Sequence, residues 1–426
     1  MQSFIIEGGR ALSGTVRAAG NKNGALPILA ATLLASEEVR LENVPRIRDV
    51  QTMVELLVDL GANADWTGDN EVTVDASGVS KTDLDPGLCR EIRASFLLAG
   101  PLLARFGRAH VPPPGGDVIG RRRLDTHIHA FSELGVEVNL DHGYDLRVGC
   151  LTGARVYLDE ASVMATENAI MAAVLAEGQT VLHHAACEPH VQDLCRFLVS
   201  LGARIEGIGS NVLRVDGVER LRGGTYVIGP DHIEVASFAA LAAVAGGGVT
   251  IENVDHRDLV SIAPALRKLG IDMQMQDGCV HVAPGQELVV QDDLGGQIPK
   301  IESGIWPAFP ADLTSIALTA ATQARGTVLI FEKMFESRLF FTDKLVSMGA
   351  KIILCDPHRA VVSGPAKLYG QRLESPDVRA GMAMVIAALC AEGRSTIGNI
   401  RQIDRGYERI DDRLRELGAS IERADL

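Results

Sequence analysis

Two kinds of hydrophobic stretch alternate along this chain. In the first, apolar residues recur at helical spacing on one face only, as in Val50, Met53, Val54, Leu57 and Leu60, and again in Tyr407, Ile410, Leu414 and Leu417. That spacing predicts amphipathic surface helices. The second kind is apolar all round: ALPILAATLLAS from Ala25, SFLLAGPLLARFG from Ser95, NAIMAAVLAEG from Asn168, SFAALAAVAGGG from Ser237, LTSIALTAATQARG from Leu313 and MAMVIAALCAEG from Met382. A helix without a polar face has to be buried. Short strand-like runs follow, among them VRLENV from Val39, TVLHHA from Thr180 and VTIENV from Val249.

Each surface-helix pattern closes on the same signal: Leu60-Gly61-Ala62, Leu134-Gly135-Val136, Leu201-Gly202-Ala203, Leu269-Gly270-Ile271, Met348-Gly349-Ala350 and Leu417-Gly418-Ala419. The glycines are 74, 67, 68, 79 and 69 residues apart. A glycine there supplies the positive φ that ends a helix. The chain therefore reads as six copies of one unit: strand, buried helix, strand, surface helix, strand. Helices and strands alternating in this way give an α/β (or α+β) architecture with the apolar helices inside. Solenoid stacking is the alternative, but a period of roughly 70 residues is long for that class.

With 426 residues the chain is long enough for several domains and a large core. Acidic residues outnumber basic ones, giving a formal charge of −14. That excludes the broad basic face of a nucleic-acid binder, and aromatics at 4% argue against base stacking. The longest uncharged stretch, from Val235 to Ile251, contains three consecutive glycines and reads as a buried helix and a strand rather than a membrane span. Seven cysteines with no C-x-x-C pair favour a reducing compartment over a disulfide or zinc framework. The N-terminal MQSFIIEGGR lacks the basic and apolar regions of a secretory signal.

Polar residues gather in front of the buried helices. They are Asn21-Lys22-Asn23, Glu91-Ile92-Arg93, Thr166-Glu167-Asn168, Asp231-His232-Ile233-Glu234, Pro310-Ala311-Asp312 and Asp377-Val378-Arg379. Converging helix N-termini with Lys and Arg beside them would attract an anion. Taken singly, each has a plain reading. The Gly20–Gly24 run is a turn with Pro27 in the first helical turn, Asp312 is a helix N-cap, and Arg93 and Arg379 are surface charges. Their shared position in the repeat is what independent plain readings do not predict. A further segment, His110 to Arg123, runs through three prolines and two glycines to Asp117 and three arginines. It reads as a loop, stiff and then flexible, suited to a phosphorylated or carboxylated ligand. Arg405, in the run Asp404 to Arg409, is one more candidate, near the start of the last surface helix.

GNKNGALPILAATLLA, RASFLLAGPLLARFG, PPGGDVIGRRR, SVMATENAIMAAVLAEGQT, FPADL and IDRGYERIDDRLRELGA together resemble the UDP-N-acetylglucosamine enolpyruvyl transferases, of the EPSP synthase-like superfamily. The motifs span nearly the whole chain. The resemblance implies a two-lobed inside-out α/β barrel of six βαβαββ repeats with the active site in a cleft. One lobe would hold residues 1–20 and 231–426, the other residues 21–230 with the Asp117 loop. The implied reaction moves the enolpyruvyl group of phosphoenolpyruvate to the 3-hydroxyl of UDP-N-acetylglucosamine and releases phosphate, the first committed step of peptidoglycan synthesis, in the cytoplasm.

The same resemblance implies the site. Asp117, Asp312, Lys22 and Arg405 would be catalytic. Lys22, Asn23, Arg122 and Arg405 would bind phosphoenolpyruvate. Asn23, Arg93, Arg122, Arg123, Leu124, Asp125, Thr126, Ser162, Val163, Asp312 and Met334 would contact the nucleotide sugar, with Arg338 and Arg379 as further active-site cations. No metal or organic cofactor is demanded. The partners implied are the two small substrates, with no nucleic acid and no membrane insertion; oligomeric state is left open. Asp117 stands where many members carry cysteine, which implies insensitivity to fosfomycin, an alkylator of that thiol. Glu160 stands where Lys is common, His232 where Arg is common and Gln402 where His is common. These departures leave room for an enolpyruvyl transferase with another nucleotide acceptor, or for a non-catalytic paralogue that only binds UDP-N-acetylglucosamine.

Overall fold

The stretches that are apolar on every side form helices and are enclosed. In the computed structural model, which describes residues 2–116, 119–120, 122–141 and 143–425, they span Lys22–Ala31, Ala99–Phe106, Val163–Ala173, His232–Val244, Thr314–Ala321 and Val378–Cys390. The second is entered through a 3-10 stretch, Arg93–Leu98, and the fifth through another, Ala311–Leu313. In His232–Val244 every residue but Val244 is buried. Each Leu, Ile or Phe sealed in this way contributes about 1.5–3 kcal/mol.

One repeat shows the path. Strand Arg155–Tyr157 leads into the inner helix Val163–Ala173, and strand Gln179–His183 returns parallel to the first, Leu182 opposite Val156. The surface helix Pro189–Ser200 follows. A hairpin of Arg204–Glu206 and Val212–Asp216 closes the sheet, Leu213 antiparallel to Leu182. The unit is thus βαβαββ, with one more strand than the sequence pattern suggested. The extra strand hides in short half-exposed runs that turns interrupt.

Contacts divide the described residues into two units. One comprises residues 2–19 and 230–425, with Ile119–Gly120; the other comprises residues 20–116 and 122–229. Each has its own core. Phe4, Phe238, Ile316, Met384 and Tyr407 belong to the first, and Ile28, Phe96, Phe131, Ile170 and Phe197 to the second.

Two repeats in the first unit and one in the second are assembled from distant pieces of chain. In the first unit, strand Ser13–Arg17 pairs parallel with Gly248–Glu252 and begins the repeat whose inner helix is His232–Val244. The N-terminal strand Gln2–Glu7 lies between Arg394–Gly398 and Ser420–Asp425 and completes the last repeat. In the second unit Gly224–Val227 pairs with Val39–Glu42 and begins the repeat of Lys22–Ala31. Six contiguous blocks are therefore a simplification of the chain's real course. Also in the second unit, the repeat of Ala99–Phe106 has a three-stranded sheet, its first strand reduced to a bridge between Asp83 and His110.

The recurring glycines behave as their position demands. Gly61, Gly135, Gly202, Gly270, Gly349 and Gly418 have φ of +103°, +94°, +109°, +80°, +109° and +96°. Gly100 has a different role. A Cβ there would lie 2.7 Å from the Asn168 carbonyl oxygen, so two inner helices approach closely only because it is glycine. Two readings need correction. Pro27 lies inside Lys22–Ala31, beyond its first turn. The Gly115–Gly116 pair serves close packing: a Cβ on Gly115 would meet the Arg90 carbonyl oxygen at 1.8 Å, and the Gly115 amide donates to the Cys89 carbonyl at 2.9 Å. No described helix is long and apolar enough to cross a membrane.

Gly418 and Gly270 separate strain from crowding. A Cβ on Gly418 meets nothing within 4 Å, whereas one on Gly270 meets the Val289 nitrogen at 2.6 Å. Urea unfolding should show Gly418→Ala losing about 1–2 kcal/mol from left-handed strain alone, and Gly270→Ala losing clearly more.

Candidate active site

Four of the six inner helices begin with side-chain caps, and the caps set where the charged residues stand. Asn21 Oδ1 accepts from the Asn23 and Gly24 amides at 2.9 and 3.2 Å. Ser162 Oγ accepts from Ala165, Asp231 from Ile233 and Glu234, and Asp377 from Arg379 and Ala380. Such caps are each worth about 1 kcal/mol. Asp312 is not one of them. Pro310 holds the position before the 3-10 turn, with no side-chain cap, and Asp312 sits within the turn.

The Asp312 carboxylate instead receives two arginines. Arg338 Nη2 reaches Oδ1 at 3.0 Å, and Arg379 reaches Oδ2 through Nε at 3.1 Å and Nη2 at 3.0 Å. The Arg338 side chain is 4% exposed and that of Arg379 6%, whereas Asp312 is 28% exposed, so the carboxylate is the open edge of the cluster. The Arg338 Nε is buried with no hydrogen-bond partner among the described residues. Burial works against the Arg379 charge, but Asp312 above all, helped by Asp231, outweighs it and holds the guanidinium protonated. Arg379 also lies 5.5 Å from the Tyr407 ring, and the Tyr407 hydroxyl is 3.1 Å from Ser237 Oγ. Burial raises the Asp231 carboxyl above its ordinary range, with Arg379 pulling it back in part.

Arg405 ends the 3-10 stretch Ile400–Arg405 rather than beginning the last surface helix, which runs Ile410–Glu416. Its Nη1 donates to Gln402 Oε1 at 2.9 Å. The neighbouring Asp404 is clamped by both terminal nitrogens of Arg423 at 2.8 Å, and Arg423 also reaches Asp411 at 2.9 Å. His232 is buried, its ring tilted against Trp306 at 6.2 Å. Met334 is half-buried on a turn whose amide donates to the Glu332 carboxylate.

The other unit carries a second set. Lys22 Nζ lies 2.7 Å from Asp49 Oδ2, both side chains nearly enclosed, and Asn23 is half-buried beside it. Arg93 Nη2 donates to the carbonyls of Arg122 and Arg123 at 2.6 and 3.2 Å and so pins that segment. Burial and the nearby Arg122 charge lower the Arg93 pKa to about 10, while Glu160 favours its charged form. Arg123 pairs with Asp125 at 3.0 Å and Asp159 at 3.5 Å, and Thr126 Oγ1 donates to Asp159 at 2.7 Å. Leu124 is buried. Val163 opens the inner helix that Ser162 caps. The Ser162 amide donates to the Glu160 carbonyl at 2.7 Å. Asp117 lies outside the described residues. Among the described residues, no three His, Cys, Asp or Glu side chains gather as metal ligands would.

A family model for EPSP synthase (3-phosphoshikimate 1-carboxyvinyltransferase) matches residues 6–414. A protein of Bradyrhizobium diazoefficiens named UDP-N-acetylglucosamine 1-carboxyvinyltransferase is 56% identical over 420 residues, 99% of this chain and 97% of its own. One of the same name from Treponema denticola is 52% identical, covering 99% of both chains. The chain belongs to the UDP-N-acetylglucosamine 1-carboxyvinyltransferase branch of the EPSP synthase family. Among solved structures, the enolpyruvyl transferase NikO from Streptomyces tendae superposes with a TM-score of 0.89 at 25% identity over 99% of each chain. EPSP synthase from Acinetobacter baumannii shares the fold, with a TM-score of 0.75 at 18% identity over the whole of both chains.

In this carboxyvinyltransferase chain some supporting contacts escape a reading of motifs. Asp49 stands in the first turn of an ordinary surface helix, Arg48–Asp59, and only the fold reveals its pairing with Lys22. Asn168 accepts from the Gly100 amide at 2.9 Å, donates to the Phe96 carbonyl at 2.9 Å and lies 3.1 Å from His127 Nδ1. The Thr166-Glu167-Asn168 run had already marked it, and only the fold reveals these partners.

His127 yields a pH prediction. Burial first, and Arg93 second, lower its pKa from the ordinary 6.5 to about 3. Between those values the unfolded chain binds the extra proton, so this contribution is intact above pH 6.5 and is lost as pH falls toward 3. At about pH 5 the loss is about 2 kcal/mol. Urea midpoints at about pH 7.5 and about pH 5 should therefore shift less in His127→Phe than in the parent, the difference isolating this group from the other carboxyls.

Proposed function

We propose that this chain transfers the enolpyruvyl group of phosphoenolpyruvate to the 3-hydroxyl of UDP-N-acetylglucosamine, with release of phosphate, committing the sugar nucleotide to peptidoglycan. The observation that carries the reading is the half-open Asp312 carboxylate held by two buried arginines, in a chain of this family. The seven free cysteines suit a cytoplasmic setting.

The chemistry needs an acid and a base on opposite sides of one bond. The acceptor oxygen adds to C2 of phosphoenolpyruvate as C3 takes a proton, and the hydroxyl proton passes to Asp312. The C2–O bond to phosphate then breaks and C3 gives a proton back, restoring the double bond. Lys22, Arg122 and Arg405 neutralise the phosphate and carboxylate, with Asn23 beside them. Asn23, Arg93, Arg122, Arg123, Leu124, Asp125, Thr126, Ser162, Val163, Asp312 and Met334 hold the nucleotide sugar. Arg338 and Arg379 support the charge that develops. A carboxylate bonded to two guanidiniums is a weak base; an anion that draws those arginines away restores its basicity. Glu160, which favours the charge on Arg93, is one of the departures that keep a different nucleotide acceptor as the second reading, and a panel of acceptors distinguishes the two.

Asp117 is the proposed acid. A free Asp has a pKa of about 3.9, so near neutrality it must be desolvated or share its proton with the phosphate dianion. Phosphate release from phosphoenolpyruvate should require UDP-N-acetylglucosamine. Asp117→Asn should lower turnover about 10²–10⁴-fold, and full activity in that variant removes Asp117 from the role. Asp117→Cys should stay active and become sensitive to fosfomycin, to which the parent is indifferent because a carboxylate is a poorer nucleophile than a thiolate.

A further inference from the structure

A carboxylate buried without a cation is costly unless its lone pairs are filled by well-placed donors. Among the described residues, Glu332 is such a group. It is 0% exposed and stands where strand Gly326–Phe331 ends. Its Oε1 accepts from Ser303 Oγ at 3.0 Å, from the Met334 amide at 2.8 Å and from the Phe335 amide at 3.2 Å. Its Oε2 accepts from Thr314 Oγ1 at 2.7 Å. The same Ser303 Oγ accepts from the Lys333 amide at 2.9 Å. Each of these donors is neutral, and they come from three segments, one of them the residues just after Glu332 itself.

Two of those segments carry residues that the proposed reaction uses. Thr314 opens the inner helix directly after the turn that holds Asp312. Met334 and Phe335 form the turn that leads to Arg338, whose guanidinium lies 5.0 Å from the Phe335 ring. One charge therefore fixes the spacing between the Asp312 turn and the Met334 turn.

We propose that Glu332 is a positioning residue for the nucleotide sugar: by gathering Thr314, Ser303 and the Met334–Phe335 amides it sets Asp312 and Met334 at the separation the sugar nucleotide requires. The assignment rests on the reading above. It separates the two substrates, because Lys22, Arg122 and Arg405 stand on other segments of the chain.

The test is steady-state kinetics of phosphate release with each substrate varied, on the parent, Glu332→Gln, Thr314→Val and Thr314→Ser. An amide in place of the carboxylate puts N–H groups against the Thr314 hydroxyl or the Met334 amide. Glu332→Gln should raise KM for UDP-N-acetylglucosamine about tenfold or more and leave KM for phosphoenolpyruvate within about twofold. Thr314→Val should move the same KM in the same direction, and Thr314→Ser, which keeps the hydroxyl, should restore it. If Glu332→Gln fails to fold, the Thr314 pair carries the test. Unchanged sugar KM in folded variants, or an equal rise in both KM values, overturns the assignment. A parent that releases no phosphate defeats the reaction instead; calorimetric titration with UDP-N-acetylglucosamine then decides. Weaker binding to the variants than to the parent sustains the positioning role, and no binding to the parent ends it.

Discussion

A helix apolar on every side leaves a protein one choice about where to put chemistry. The six inner helices leave little lateral face for polar groups, so the candidate functional residues collect at their ends. The first turn of a helix carries amides without intrahelical partners, and here Asn21, Ser162, Asp231 and Asp377 take some of them. The same turns present Lys22, Arg379 and, through its 3-10 entry, Asp312. Core packing and site placement are thus one constraint, and the small residues that let inner helices touch, such as Gly100, serve both.

Electrostatics explains how an acidic protein keeps cations in its interior. The overall charge is −14, yet Lys22 in one unit and Arg338 and Arg379 in the other are buried. Each has a resident partner: Asp312 for Arg338 and Arg379, Asp49 for Lys22, Gln402 for Arg405, and backbone carbonyls for Arg93. Those partners hold the cations in place, and in the proposed function substrate binding becomes an exchange of counter-charges. That exchange favours doubly negative guests, which can satisfy several guanidiniums at once.

Much of this was legible in the chain. The six glycines after the surface helices announced positive φ, and the uniformly apolar runs announced enclosed helices. The pooling of Lys, Arg, Asn and Asp before those runs marked the candidate site. What stayed hidden depends on distance in sequence. Ser13–Arg17, Gln2–Glu7 and Gly224–Val227 complete sheets with strands that no local pattern pairs with them. Asp312 looked like a cap because Asp before a helix usually is one, and only the placement of Arg338 and Arg379 shows what the carboxylate does. Glu332 closes a strand like any surface acid, and its burial emerges from three segments meeting. Pro27 misled because the helix begins with Lys22, earlier than the proline implied.

Hydrogen–deuterium exchange with and without phosphoenolpyruvate plus UDP-N-acetylglucosamine tests most directly whether function resides at the front of the enclosed helices. The account predicts that the ligands slow exchange at residues 20–24, 93–98, 162–168, 231–234, 311–314 and 377–380, while the surface helices keep their rates. Protection confined to the surface helices, or none anywhere at saturating ligand, would contradict it.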